Sequence, residues 1–256
     1  MIGLRAAGGT RFRIYPQPSF LDGWHDPVTI ELPVPPGRIG PGPQDSRMYT
    51  LLPVGKGAPY GFAGDRFGRP RGPSLRPALP DRQGHFDHIR PGDPAFVAAH
   101  AFACARLVLA IWERYAGPIP WHFARLFPRL EVLCLGDAYE NAQCGLGYLE
   151  LGVNPARRGR RHSFALNFDV VAHEMGHLIV FALVGIPSGA TLPAEYRGFH
   201  EAMADLVSLV ALLHVDPVVD DVLASTRGTL YVAKELNRIA ALTASDEIRT
   251  VSHSIK

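Results

Sequence analysis

From Val170 to about Val184 apolar side chains fill nearly every position, and the polar exceptions are His173, Glu174 and His177. An apolar run of this length predicts a buried helix. Asn167 or Asp169 caps its start, and Gly185 with Pro187 beyond stops it near Val184. A second pattern, about Tyr196 to His214, carries an apolar stripe of Leu206, Leu209, Val210 and Leu213 with Glu201 and Asp205 one turn apart. The longest pattern begins at Asp93 and Pro94, an N-cap followed by proline at the first helical position. It continues through Ala95–Tyr115, is apolar almost all round, and stops at Gly117-Pro118. It predicts a buried helix with His100 and Cys104 in its core.

Strand-like alternation occupies other places. Thr10–Tyr15 and Val28–Leu32 alternate, as does Arg129–Leu135. Residues 139–152 read as a β-hairpin or the edge of a meander. Residues 218–226 and 229–242 read as helical, separated by Gly228, with Pro217 ending or restarting the preceding helix. Asp246–Lys256 carries no clear pattern.

Sixteen of the 23 prolines fall in residues 1–94, which excludes long helices there. Pro59–Pro80 reads as extended coil, Arg157–His162 as a polar loop, and His85-Phe86-Asp87-His88 as a turn leading into the next helix rather than a metal site. The pattern therefore predicts an α+β protein. Residues 1–92 form a Pro/Gly-rich β and coil segment packed on the core. Residues 93–256 form one domain, a hairpin or edge strand followed by a mainly helical half with its key helices at about 169–184 and 196–214.

Composition adds exclusions. With 256 residues, 47% hydrophobic and 20% charged, the chain has the make-up of a globular protein. A net charge of +2 provides no field for nucleic acid or an anionic membrane. Three cysteines without close spacing argue against a disulfide framework or a cysteine metal site. No signal peptide is recognised and no apolar segment is read as a membrane span, so the expectation is a cytoplasmic protein with neither nucleic-acid nor membrane partners.

The chemistry lies in the two polar interruptions. His173 and His177 are four apart and share a helix face, so both imidazoles can reach one metal ion, with Glu174 beside it. Catalytic zinc takes three protein ligands and a water. Glu201 is 24 positions beyond His177, enough for a turn and an antiparallel return, and supplies the third. Asp205 can then accept the free ring N–H of a ligating histidine. One zinc per chain is the expectation.

Asp169-Val170-Val171-Ala172-His173-Glu174-x-x-His177 followed by Glu201-x-x-x-Asp205 resembles the thermolysin-like zinc metallopeptidases (gluzincins). The resemblance spans roughly residues 85–215 and implies a thermolysin-like metallopeptidase core, hydrolysis of peptide or protein substrates, and Glu174 as general base. Tyr139-Glu140-Asn141-Ala142 is similar to the family's substrate-binding edge strand, which implies that Asn141 and Ala142 bind the peptide backbone. Tyr196 is the nearest match to the family's oxyanion-stabilising tyrosine, at a different spacing. His214 and His253 are the candidates for its downstream histidine, and His200 is expected to point away from the metal. Asp169 matches one position of the family's calcium set, but the rest is missing and no calcium is expected. The chain ends where family members continue, which suggests a fragment or a reduced fold. Two other readings remain open: a zinc aminopeptidase using Glu140 for the substrate amino group, and a protein with this fold that binds a peptide or partner without hydrolysis.

Overall fold

A computed structural model describes residues 8–54, 56, 59–61, 74–134, 139–153, 162–186, 192–228, 238–241 and 247–250, the last two segments as backbone. The 23-residue helix α1 (Pro94–Ala116) is its central element. The Asp93 side chain accepts the Ala95 N–H, and Gly117 at φ 76° ends the helix. By length and composition α1 could cross a membrane, which corrects the expectation that no segment is long enough. Most of it is buried inside this protein, so its apolar surface is satisfied by the core.

Besides α1, the described residues form three sheets and three further α-helices. Strands β1 (Thr10–Ile14) and β2 (Val28–Leu32) pair antiparallel, Thr10 opposite Leu32. Phe12 of β1 stacks on Phe86 with ring centroids 4.7 Å apart. Arg11 explains the His85–His88 turn: its backbone N–H donates to His85 Nδ1 at 3.2 Å and its side chain pairs with Asp87 at 2.7 Å. These contacts hold the turn against β1. His100, fully buried on α1, accepts the Tyr15 N–H at Nε2 (2.9 Å) and donates from Nδ1 to the Ala165 carbonyl (2.8 Å). It ties the end of β1 and the turn before the next helix to α1.

The larger sheet has strand order β3-β4-β6-β5. Strands β3 (Met48–Leu51), β4 (Leu130–Cys134) and β6 (Tyr148–Leu151) run parallel, and β5 (Ala142–Gly145) pairs antiparallel with β6 to form the expected hairpin. β3 comes from the Pro-rich part of the chain, which thus contributes to the central sheet. β4 is buried at all five positions, unlike the half-exposed strand that alternation predicts. Val132 faces the helices, whereas Glu131 is covered from the other side by hydrogen bonds from the Tyr49 and Tyr60 hydroxyls.

Helix α2 (Phe168–Leu183) is capped by Asn167, whose side chain accepts the Val170 N–H, and Gly185 at φ 89° follows its end. Of the two cap candidates, Asn167 is the one used. Helix α3 (Ala194–Leu212) returns antiparallel against α2, and α4 (Asp216–Thr226) leaves it at 91° with Pro217 in its first turn. The helix expected over 229–242 is corrected in part. Residues 238–241 form β7 (Arg238–Ala241), paired antiparallel with β8 (Glu247–Thr250). Pairing with a partner strand overrides a local helical preference. Residues 229–237, Arg157–Arg161, His253 and most of the Pro59–Pro80 coil lie outside the described residues.

Candidate metal centre

The crossing of α2 and α3 builds the site. Gly176, inside the His-Glu-x-x-His motif, lies against Ala204, and a Cβ added at Gly176 would lie 2.7 Å from the Ala204 Cα and 3.1 Å from its carbonyl oxygen. Real Cβ atoms do not approach that closely, so glycine is what lets the two backbones meet. This contact sets how near α3 carries its acids to the α2 histidines. In the sequence Gly176 stands between the two histidines, and only its packing against α3 reveals its role.

The three expected ligands meet. Glu201 Oε2 lies 3.4 Å from His173 Nε2, Glu201 Oε1 lies 3.7 Å from His177 Nε2, and one donor atom from each residue falls within 4.8 Å of the others. Zinc bonds of 2.0–2.2 Å in a tetrahedron place neighbouring donors roughly 3.3–3.6 Å apart. The two nitrogen donors and one carboxylate therefore fit an ion, and this group could hold a metal. His173 and Glu174 are buried, His177 is partly buried and Glu201 is exposed at the mouth.

Behind the ligands, each histidine has a partner for its other nitrogen. His173 Nδ1–H donates to Asp205 Oδ1 at 2.7 Å, as expected. His177 Nδ1 lies 2.6 Å from His200 Nδ1, the two rings only 7° from coplanar. His200 thus faces His177 from behind and is not in the group around the metal position. Helical geometry explains it: His200 immediately precedes Glu201, and the turn that brings Glu201 to the metal position also brings His200 to the far side of His177. Two adjacent Nδ1 atoms require one proton between them. If His177 Nε2 holds an ion, its Nδ1–H donates and His200 Nδ1 accepts, which leaves the His200 proton on Nε2. Burial lowers the His200 pKa, which favours the neutral ring that this acceptor role needs.

A cleft of about 290 Å³ opens beside these groups. One wall is the edge strand, through Ala142, Gln143 and Cys144, and the other is Phe181, Leu192, Tyr196 and His200. Glu174 also lines the cleft. The Cys144 thiol donates to the Glu174 carboxylate, and desolvation first, then the charge of Glu174, push that thiol well above its ordinary range. Cys144 is therefore a protonated donor at neutral pH. Asn141 is exposed at the start of the edge strand, where its backbone carbonyl accepts the Gly152 N–H and its side chain bonds the Tyr139 hydroxyl. Burial raises the Tyr139 phenol to about 12. Glu140 is exposed beside it.

Tyr196 lines the cleft, but its hydroxyl donates to the Gly185 carbonyl at 2.6 Å. His214 is remote from the centre, with Nε2 2.8 Å from the Tyr115 hydroxyl. Asp169 is buried at the start of α2. No protein-family model and no curated protein matches this chain.

The hydrogen bonds to the two histidines have separable consequences. Asp205→Ala is expected to weaken metal affinity roughly 10–100-fold. His200→Phe keeps an aromatic ring but removes the acceptor, and should weaken affinity by a similar factor, whereas His200→Asn restores an acceptor and should recover most of it. Competition against a chromophoric chelator measures all three. Equal affinities for the Phe and Asn variants would show that His200 only fills space.

Proposed function

We propose that this protein is a zinc-dependent peptidase of the thermolysin-like type, with Glu174 as general base. The observation that carries the reading is the joint geometry of His173, His177 and Glu201 around one point, with Glu174 beside it at the floor of an open cleft. A zinc ion there supplies Lewis acidity toward a carbonyl and lowers the pKa of a bound water to ~7.

The chain's own groups do the rest. Glu174 takes the proton of the attacking water and passes it to the departing amine, so that one carboxylate serves as base and then acid. The Cys144 thiol, bonded to that carboxylate, holds it toward the edge strand. Asp205 and His200 fix the tautomers of the two histidines, so each turns Nε2 inward. An extended peptide lying along β5 adds a strand to the sheet, held by main-chain hydrogen bonds near Asn141 and Ala142. Among the described residues β5 pairs with β6 alone and is an edge strand of its sheet, which suits it to such pairing. For Tyr196 to stabilise an oxyanion, its hydroxyl must first leave Gly185.

The test is a metal analysis joined to an assay. Protein purified without chelator is expected to contain about one zinc per chain and to cleave N-terminally blocked peptides. Cleavage confined to free N-termini would favour an aminopeptidase with Glu140 as the amino-group ligand. Full zinc with no cleavage of either kind would favour a binding protein on this scaffold, and absence of zinc would end the metal reading.

A further inference from the structure

The Pro/Gly-rich part of the chain reaches the cleft wall through one buried ion pair. Glu150 lies on β6 with a fully buried side chain, and Lys56 Nζ approaches its Oε1 at 2.6 Å from a side chain that is 4% exposed. The same carboxylate accepts, at Oε2, the Tyr60 N–H (2.9 Å) and the Gln143 side-chain N–H (2.7 Å). Gln143 Nε2 also donates to the Tyr60 carbonyl at 2.8 Å. The Lys56 ammonium sits 4.1 Å over the Tyr60 ring, and the Tyr60 hydroxyl donates to Glu131 on β4. Lys56 and Tyr60 are thereby held on the sheet face opposite α1 and α2.

Gln143 is the member that matters for the cleft, because it belongs to β5. An edge strand has one ladder of main-chain bonds, here to β6. Gln143 adds a second attachment, from β5 to a carboxylate held in place by Lys56. Removing the ammonium leaves Glu150 as an uncompensated buried charge, which the fold relieves by protonating the carboxylate, admitting water or moving it. Each response weakens or removes the charge-assisted bond from Gln143.

We infer that Lys56 is a positioning residue for the cleft, acting through Glu150 and Gln143 to hold the edge strand β5 in place. Its effect on catalysis rests on the peptidase reading; its effect on β5 does not.

The experiment is hydrogen exchange resolved to segments in the full-length protein, combined with metal affinity and steady-state kinetics. Lys56→Met is expected to speed exchange of the β5 amides roughly ten- to a hundredfold, the size expected for loss of a hydrogen bond to a charged group. Exchange in α2 and α3, and zinc affinity, should stay unchanged. KM for a blocked peptide should rise while kcat changes little. Lys56→Met with Glu150→Gln removes both charges but keeps an amide oxygen for the Gln143 N–H, and should return β5 toward wild-type exchange. Gln143→Leu cuts the anchor without stranding a charge and should reproduce the β5 effect even if Lys56→Met fails to fold. Unchanged β5 exchange in Gln143→Leu, or acceleration spread equally over α2 and α3, would overturn the inference. If the wild-type protein cleaves no peptide, the peptidase reading fails while the exchange result still decides the role of Lys56.

Discussion

Glu174→Gln is expected to lower kcat by about 10²–10⁴-fold, the contribution of a positioned general base, while the protein keeps its metal. Glutamine has nearly the shape of glutamate, and residue 174 is not among the ligand set, so the two histidines and Glu201 should hold the ion as before. The amide cannot take a proton from water. It can still accept from the Cys144 thiol, so the local hydrogen bond survives. Turnover measured beside zinc content separates the outcomes. Retained turnover would remove Glu174 from its role, and loss of zinc would show that it is needed to form the site.

The second large effect is on acid stability. His100 is completely buried and its pKa is lowered to about 4, chiefly by desolvation. In the unfolded chain it titrates near 6.5. The folded pKa is the lower one, so the unfolded state binds the proton first as pH falls. The neutral ring contributes its full share of stability above about 6.5, and that share is lost progressively from there down to about 4. Below that the effect is constant. Between pH 7 and pH 5 the loss amounts to roughly 2 kcal/mol. Structure provides the reason: Nε2 accepts from the Tyr15 N–H, so a proton added there opposes an existing donor as well as a dry surrounding. His100→Gln should be less stable at pH 7 and should lack this component of the pH slope. Urea midpoints of both proteins at pH 7 and pH 5, after metal removal, measure the difference. Equal slopes would show that His100 does not control the acid limb.

Much of this architecture was legible from local pattern. The long helix announces itself through Asp93, Pro94 and Gly117, because capping depends on a few neighbouring residues and backbone angles. The hairpin at 142–151 follows from short apolar runs around Leu146-Gly147. Elsewhere neighbours distant in sequence overrode the pattern. β4 is buried on both faces because Tyr49 and Tyr60 cover Glu131. Residues 238–241 take a strand conformation because residues 247–250 pair with them. The apolar length of α1 has two physical solutions, lipid or protein core, and only its packing distinguishes them.

At the centre, the sequence by itself determined which groups share a helix face. A period of 3.6 residues places His173 with His177 and Glu201 with Asp205 whatever surrounds them. Tertiary structure decided how the two faces meet. The Gly176–Ala204 contact sets the helix separation, and the rotation of α3 about its axis then turns His200 onto His177 and Asp205 onto His173. The reach of Lys56 to Glu150 was equally hidden, since a contact across 94 positions leaves no trace in local periodicity. Spacing along one helix is a property of the backbone; which side chain faces which across two elements depends on the packing of both.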